Sequence, residues 1–265
     1  MQLGIKEKLA VVTGASRGLG RAAAEALGHE GARVVLVARG ADALETAAAD
    51  LRAKGIDAVA MSADLTDKDQ VTDLFRRVRA IGSPEILVYN NAGARDLDFD
   101  DASDDDFLHA YQIMVMGYVW CVREIVDDMK AAKWGRIVVL GSLCAKEPHK
   151  EFPMVLHNTG RPAQLGFSKT LSNEIAKFGI TVNTIGTGML DHDGEATERA
   201  YAVRAGKRGI SMRDVQRFRV APIPVGRAGR GDELGSLCAF LCSDRAAFIN
   251  GQMILLDGGR IASLI

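Results

Sequence analysis

The sequence predicts a doubly wound α/β fold: a single domain with a parallel sheet of about seven strands and helices on both faces. Three observations carry this. Short β-branched runs alternate with helix-forming stretches nearly to the end of the chain. A glycine-rich octet, Thr13-Gly14-Ala15-Ser16-Arg17-Gly18-Leu19-Gly20, stands between the first run and the first helical stretch. No Pro/Gly/Ser linker, low-complexity tract or short repeat divides the 265 residues, a length that doubly wound folds fill as one unit. Together they describe a Rossmann-type architecture.

In chain order, Leu9–Thr13, Arg33–Val37, Ala58–Met61, Ile86–Tyr89 and Ile137–Leu140 read as buried parallel strands, because their apolar runs are continuous and not alternating. Between them, Leu19–Glu30, Ala41–Lys54, Asp67–Ala80 and Ser103–Ala132 carry helical periodicity and good helix formers. Ile180–Ile185 and Met253–Leu256 supply two further strands. Residues 187–231 break the alternation. No strand is legible there, and two short helical patterns, about Glu195–Gly206 and Ser211–Arg219, sit in an unusually long connection. Long insertions after a parallel strand cover ligands, so 187–231 is expected to be a substrate lid.

Nearly half the residues are apolar and a quarter are charged, which suits a globular chain with a sizeable core. A formal net charge of −1 gives no attraction to nucleic acid or to an anionic membrane. Met1–Lys8 holds no signal-peptide core, and no apolar run approaches the ~20 residues of a membrane span. Cys121, Cys144, Cys238 and Cys242 lack zinc-site spacing and are expected to be reduced thiols of a cytoplasmic protein. Asp96–Asp106 holds seven aspartates but lacks the glycine and terminal Glu of a calcium loop, so no metal site is expected. Ser103 followed by Asp104–Asp106 reads as a helix cap with an acidic first turn.

In a strand–turn–helix context the glycines let the backbone approach a pyrophosphate, which the helix N-terminus favours. Further landmarks follow in order: Asp64 in Ala63-Asp64-Leu65, Asn90-Asn91-Ala92-Gly93, Gly135–Val138 leading to Ser142, Gly179–Asn183, and Gly251-Gln252 through Asp257-Gly258-Gly259. With the TGxxxGxG turn they resemble the short-chain dehydrogenase/reductase family over essentially the whole chain, in a divergent form similar to 3-oxoacyl-carrier-protein reductases. The resemblance implies a dinucleotide held by Gly14, Ser16, Arg17, Gly18, Leu19 and Gly20, with Asp64 at the adenine. It further implies that Leu65, Asn91, Ala92, Gly93 and Gly188 line the cofactor.

Electrostatics selects the dinucleotide. A carboxylate at the end of the second strand would grip the ribose 2′-hydroxyl of NAD and repel a 2′-phosphate. Ala38 occupies that place, Arg39 follows, and Arg17 sits in the glycine turn. Two guanidiniums there suit a phosphate, so NADP(H) is the expected cofactor.

The family's catalytic set is an Asn, a Ser, a Tyr and a Lys four residues after the Tyr. Carried over by position, only Ser142 matches; the Asn place holds Met114, the Tyr place His157 and the Lys place Arg161. Arg161 stays protonated, so it binds ribose or an anion but passes on no proton. His157, with a reference pKa of ~6.5, can donate one near neutrality, or polarise a carbonyl through the N–H of the neutral ring. A decayed site is the alternative. Pro162 leaves the helix start open: if it lies at Pro162 and not near Pro153, His157 and Arg161 share no face.

These readings predict an NADP(H)-dependent oxidoreductase acting on a carbonyl or alcohol small molecule, with Ser142, His157 and Arg161 as catalytic residues. Arg199, Arg204, Lys207, Arg208, Arg213, Arg217 and Arg219 in the lid suit either an anionic or carrier-linked substrate or a solvated helix face. Two rivals stand beside it: dinucleotide binding without redox turnover, and non-redox chemistry in the same cleft. Ile113, Val115, Val119, Trp120, Phe167 and Leu171 exceed what one sheet face covers, which predicts a homo-oligomer, a tetramer or dimer.

Overall fold

Parallel neighbours cannot be joined by hairpins, so the helical crossovers fix the strand order. The computed structural model describes residues 2–91, 93–148, 154–191, 202, 205, 206 and 209–264. Seven strands form the main sheet: β1 (Leu9–Thr13), β2 (Arg33–Ala38), β3 (Ala58–Ser62), β4 (Pro84–Tyr89), β5 (Gly135–Ser142), β6 (Ile180–Thr187) and β9 (Met253–Leu256). Their order is β3-β2-β1-β4-β5-β6-β9, with every adjacent pair parallel. The order reverses between β1 and β4, the switch point at whose carboxyl end doubly wound sheets place their ligand crevice.

Each strand divides its side chains between two cores. In β1, Ala10 and Val12 face α1 (Gly18–His29) and α2 (Ala41–Ala53), while Leu9 and Val11 join the opposite core. That second core is built on α3 (Lys68–Arg79), through Val71, Leu74 and Phe75, and on helices that follow β4 and β5. The doubly wound prediction therefore holds, with helices on both faces.

The Ser103–Ala132 segment starts as expected: Ser103 Oγ accepts from Asp106 N and the Asp106 carboxylate accepts from Ser103 N. It is not one helix, however. It runs as α4 (Asp104–Tyr111), a π turn (Gln112–Met116) and α5 (Gly117–Ala132). The widened turn frees carbonyls that distant side chains satisfy. Ile113 O accepts from the Tyr89 hydroxyl at 2.6 Å, and Met114 O accepts from Gln164 Nε2 at 2.7 Å.

The helix after β5, α6, spans Val155–Ile175 with Pro162 inside it, so His157 and Arg161 share a face. Of the two starts left open by the sequence, the earlier one holds. The stretch read as strandless contains a two-residue pair, β7 (Leu190–Asp191) with β8 (Gly229–Arg230), which ties the two ends of the insertion together. A pair that short leaves no periodicity to read. Within the insertion, the Ser211–Arg219 pattern forms α7 (Met212–Val220), with Ser211 as its cap. Glu195–Arg204, the bulk of the other helical pattern, lies outside the described residues apart from Ala202. The last helix, α8 (Gly231–Leu241), packs Leu234, Cys238 and Leu241 into the α1 core. Among the described residues no helix is long and apolar enough to cross a membrane.

Candidate active site

The glycine turn closes on itself and on β4. Gly14 has φ +59°, and a Cβ on Gly20 would lie 2.3 Å from Gly14 O, so the turn is too tight for any side chain there. Thr13 Oγ1 donates to Asn90 O at 2.7 Å and accepts from Asn90 N at 2.8 Å, while Asn90 Nδ2 donates to Gly14 O at 3.2 Å. These bonds fasten the ends of β1 and β4 on either side of the crevice. The first turn of α1 has no side-chain cap from Arg17 and no acidic residue, so the positive dipole end of the helix faces the glycine turn without a carboxylate of its own.

At the edge of the same turn, Ala15 N donates to Val37 O at 3.1 Å, bringing the octet against the end of β2. Arg17 and Arg39 are both exposed there, and neither has a polar partner among the described residues. Asp64 is already engaged: its Oδ1 accepts from Thr66 N and Thr66 Oγ1 at 2.9 and 2.8 Å, which shapes the turn after β3. Leu65 backs α5, since a Cβ on Gly117 would lie 2.6 Å from Leu65 O.

Beyond β4, Asn91 Oδ1 accepts from Gly93 N at 2.9 Å and from Arg161 Nη2 at 3.2 Å. Ala92 lies outside the described residues. Arg161 Nη1 also donates to Gln164 Oε1 at 3.0 Å and reaches Leu140 O at 3.5 Å. All of these acceptors are neutral, and Arg161 Nε and Asn91 Nδ2 are buried without a partner among the described residues. Burial lowers the Arg161 pKa, yet a guanidinium so far above neutrality stays charged. The Arg161 cation is thus stapled to β4 and β5 and is not a freely swinging ligand arm.

His157 is 9% exposed and packs on the same turn: a Cβ on Gly93 would lie 2.8 Å from its Cε1. Its Nε2 is 2.9 Å from Ala94 O, and because a carbonyl only accepts, that nitrogen carries the proton. The neutral ring in this tautomer gives its one N–H to Ala94 O. Asp96 Oδ1 lies 3.5 Å from the same nitrogen.

Ser142 ends β5, and its Oγ accepts from Cys144 N at 3.3 Å, leaving the hydroxyl proton to donate elsewhere. Met114 is fully buried among Ala110, Val115 and Leu156, with its methyl against Gly160. Gly188 lies so close to β9 that a Cβ would sit 2.7 Å from Asp257 Cα, which gives this glycine a packing reason of its own.

Thus the structure brings together the glycine turn, Asn91, Gly93, His157 and Arg161 at the crevice, with Ser142 at the end of the neighbouring strand. Thr13, Asn90, Asp96 and Gln164 were not read as site residues. Only the TG and NNAG motifs gave a signal for the first two; no local signal marks the others.

The chain belongs to the short chain dehydrogenase family, whose pattern matches residues 8–201. Among its relatives is the 3-oxoacyl-[acyl-carrier-protein] reductase FabG of Pseudomonas aeruginosa, 29% identical over 98% of this chain and 100% of the relative. The NADPH-dependent reductase BacG of Bacillus subtilis is 28% identical over 98% of this chain and 100% of its own. The crystal structure of L-sorbose reductase from Gluconobacter frateurii, complexed with NADPH and L-sorbose, superposes with a TM-score of 0.93 at 31% identity, covering both chains fully.

Proposed function

We propose that the chain is an NADP(H)-dependent oxidoreductase that moves hydride between the cofactor and a carbonyl or hydroxyl carbon of a small molecule, through a Ser142–His157–Arg161 site. The supporting observation is the single face of α6 that carries His157 and Arg161 to the Asn91–Gly93 turn, at the reversal point of the sheet. The residues fit the cofactor: a helix N-terminus without an acidic first turn, behind a tight glycine turn, suits a pyrophosphate, and two cations without partners among the described residues suit a 2′-phosphate. The buried unpartnered donors Asn91 Nδ2 and Arg161 Nε suit polar groups of the nicotinamide half. NADPH supplies the hydride when bound.

Ser142 donates its free hydroxyl proton as a hydrogen bond to the substrate oxygen. Arg161 contributes positive charge as that oxygen turns anionic, and His157 gives its proton to the oxygen as hydride reaches the carbon. The insertion 187–231 covers the substrate, and Arg213 and Arg217, exposed on α7, favour an anionic or carrier-linked one. The relatives' 3-oxoacyl thioesters and keto-sugar define the assay: NADPH oxidation with acetoacetyl-CoA and with L-sorbose. With a good substrate, His157→Ala should lower turnover by roughly 10²–10⁴ while NADPH affinity holds. Undiminished reduction by that variant removes His157 from the mechanism.

One observation favours binding without turnover: the His157 N–H is spent on Ala94 O. NADPH binding in a protein inert toward the whole panel, and made active by Met114→Asn, His157→Tyr and Arg161→Lys together, supports that second reading.

A further inference from the structure

Two acceptors crowd one nitrogen of His157. Ala94 O takes a hydrogen bond from Nε2 at 2.9 Å, and the Asp96 carboxylate stands 3.5 Å from the same atom. Both require the proton to be on Nε2, so the neutral ring leaves Nδ1 bare, and a bare nitrogen has no proton to give. Donation needs the doubly protonated ring. That cation forms one helical turn from Arg161, whose buried charge has only neutral acceptors around it. A second cation there is unfavourable unless a carboxylate offsets it.

Asp96, in the connection from β4 to α4, is the carboxylate within ion-pair distance of the ring among the described residues. Its neighbour Arg95 pairs with Asp106, at 2.9 Å. The His157 side chain is 11% exposed and that of Asp96 38%, so the imidazole is shielded from solvent while the carboxylate stays partly open to it.

The geometry points to Asp96 as the positioning residue that holds and charges His157, so that Nδ1–H is the proton donated to substrate. This rests on the reading of His157 as the proton donor. As hydride reaches the carbonyl carbon, Nδ1–H passes its proton to the forming alkoxide. The ring is left as the neutral Nε2–H tautomer, still bonded to Ala94 O, and regains its Nδ1 proton from solvent. In the oxidative direction the bare Nδ1 accepts the alcohol proton.

The test uses the full-length protein labelled with ¹⁵N-histidine, the His157 signals being assigned by loss in His157→Gln. At one pH, the ratio of doubly to singly protonated His157 should be about two- to fivefold lower in Asp96→Asn than in the native protein. Asp96→Glu should restore most of it. In the reduction assay, Asp96→Asn should lower kcat by a similar factor, about two- to fivefold, with KM and NADPH affinity little changed. An unchanged protonation ratio in Asp96→Asn overturns the proposal, whether or not a substrate is in hand. Native turnover in Asp96→Asn, alongside a dead His157→Ala, overturns it too while leaving the proposed reaction standing. Native turnover in His157→Ala instead sinks the reaction mechanism, and the protonation ratio still decides whether Asp96 charges the ring.

Discussion

At the scale of single residues, charge placement governs the cleft. Arg17 and Arg39 are exposed cations without partners among the described residues, on the rim where the glycine turn meets β2. No carboxylate follows β2, since Ala38 and Arg39 stand there. A 2′-phosphate gains charge-assisted bonds from both arginines, whereas a 2′-hydroxyl gains little. NADPH should therefore bind more tightly than NADH, and Arg39→Asp should reverse the order, as read by fluorescence titration. Equal affinities of the native protein for the two cofactors would rule the clamp out. Deeper in, Arg161 differs from a lysine by its planar fork, which spans Gln164, Leu140 and Asn91 at once. That fork fixes the Asn91–Gly93 turn against α6, and His157 inherits its place from the same turn.

At the scale of elements, α6 carries the site despite its sequence. Pro162 lacks an N–H, so the Asn158 carbonyl one turn back gets no helical bond from it, and the ring crowds that carbonyl. Packing overrides the propensity: Leu156, Ser168, Leu171 and Ile175 are buried along the helix, and Gln164 ties it to the π turn. Pro162→Ala restores the bond and should stabilise the fold by up to ~3 kcal/mol, seen as a higher denaturant midpoint at unchanged slope. A lower midpoint would mean that the proline ring itself is needed to pack α6. The π turn shows the opposite balance. Nothing between Gln112 and Met116 opposes an ordinary α-helix; the turn opens where Tyr89 and Gln164 reach its carbonyls.

For the whole molecule, the apolar surplus on the π turn, α5 and α6 is smaller than the sequence suggests. Val115 and Leu171 are buried within the chain's own core, but Ile113, Val119, Trp120 and Phe167 remain half-buried. Phe99, Leu108 and Tyr111, in and just before α4, are exposed as well. An assembly with closed symmetry would cover this face, so light scattering at micromolar concentration should give a multiple of the 28.4 kDa chain. A monomer mass would show that these side chains stay in water.

The strands and most helices, the glycine turn and its family were legible because each is written in a short window. Continuous apolar runs mark parallel strands, 3.6-residue periodicity marks helices, and TGxxxGxG or NNAG marks a backbone turn that few other residues could make. Only the tertiary structure decided how the site is wired. His157 meets Ala94 across 63 positions, Arg161 meets Asn91 across 70, and Gln164 meets Met114 across 50. Which imidazole nitrogen keeps its proton, and which carboxylate stands beside it, depends on where those distant segments come to rest. A sequence window holds the residue types but not their separation in space, and both hydrogen bonding and charge pairing are set by that separation.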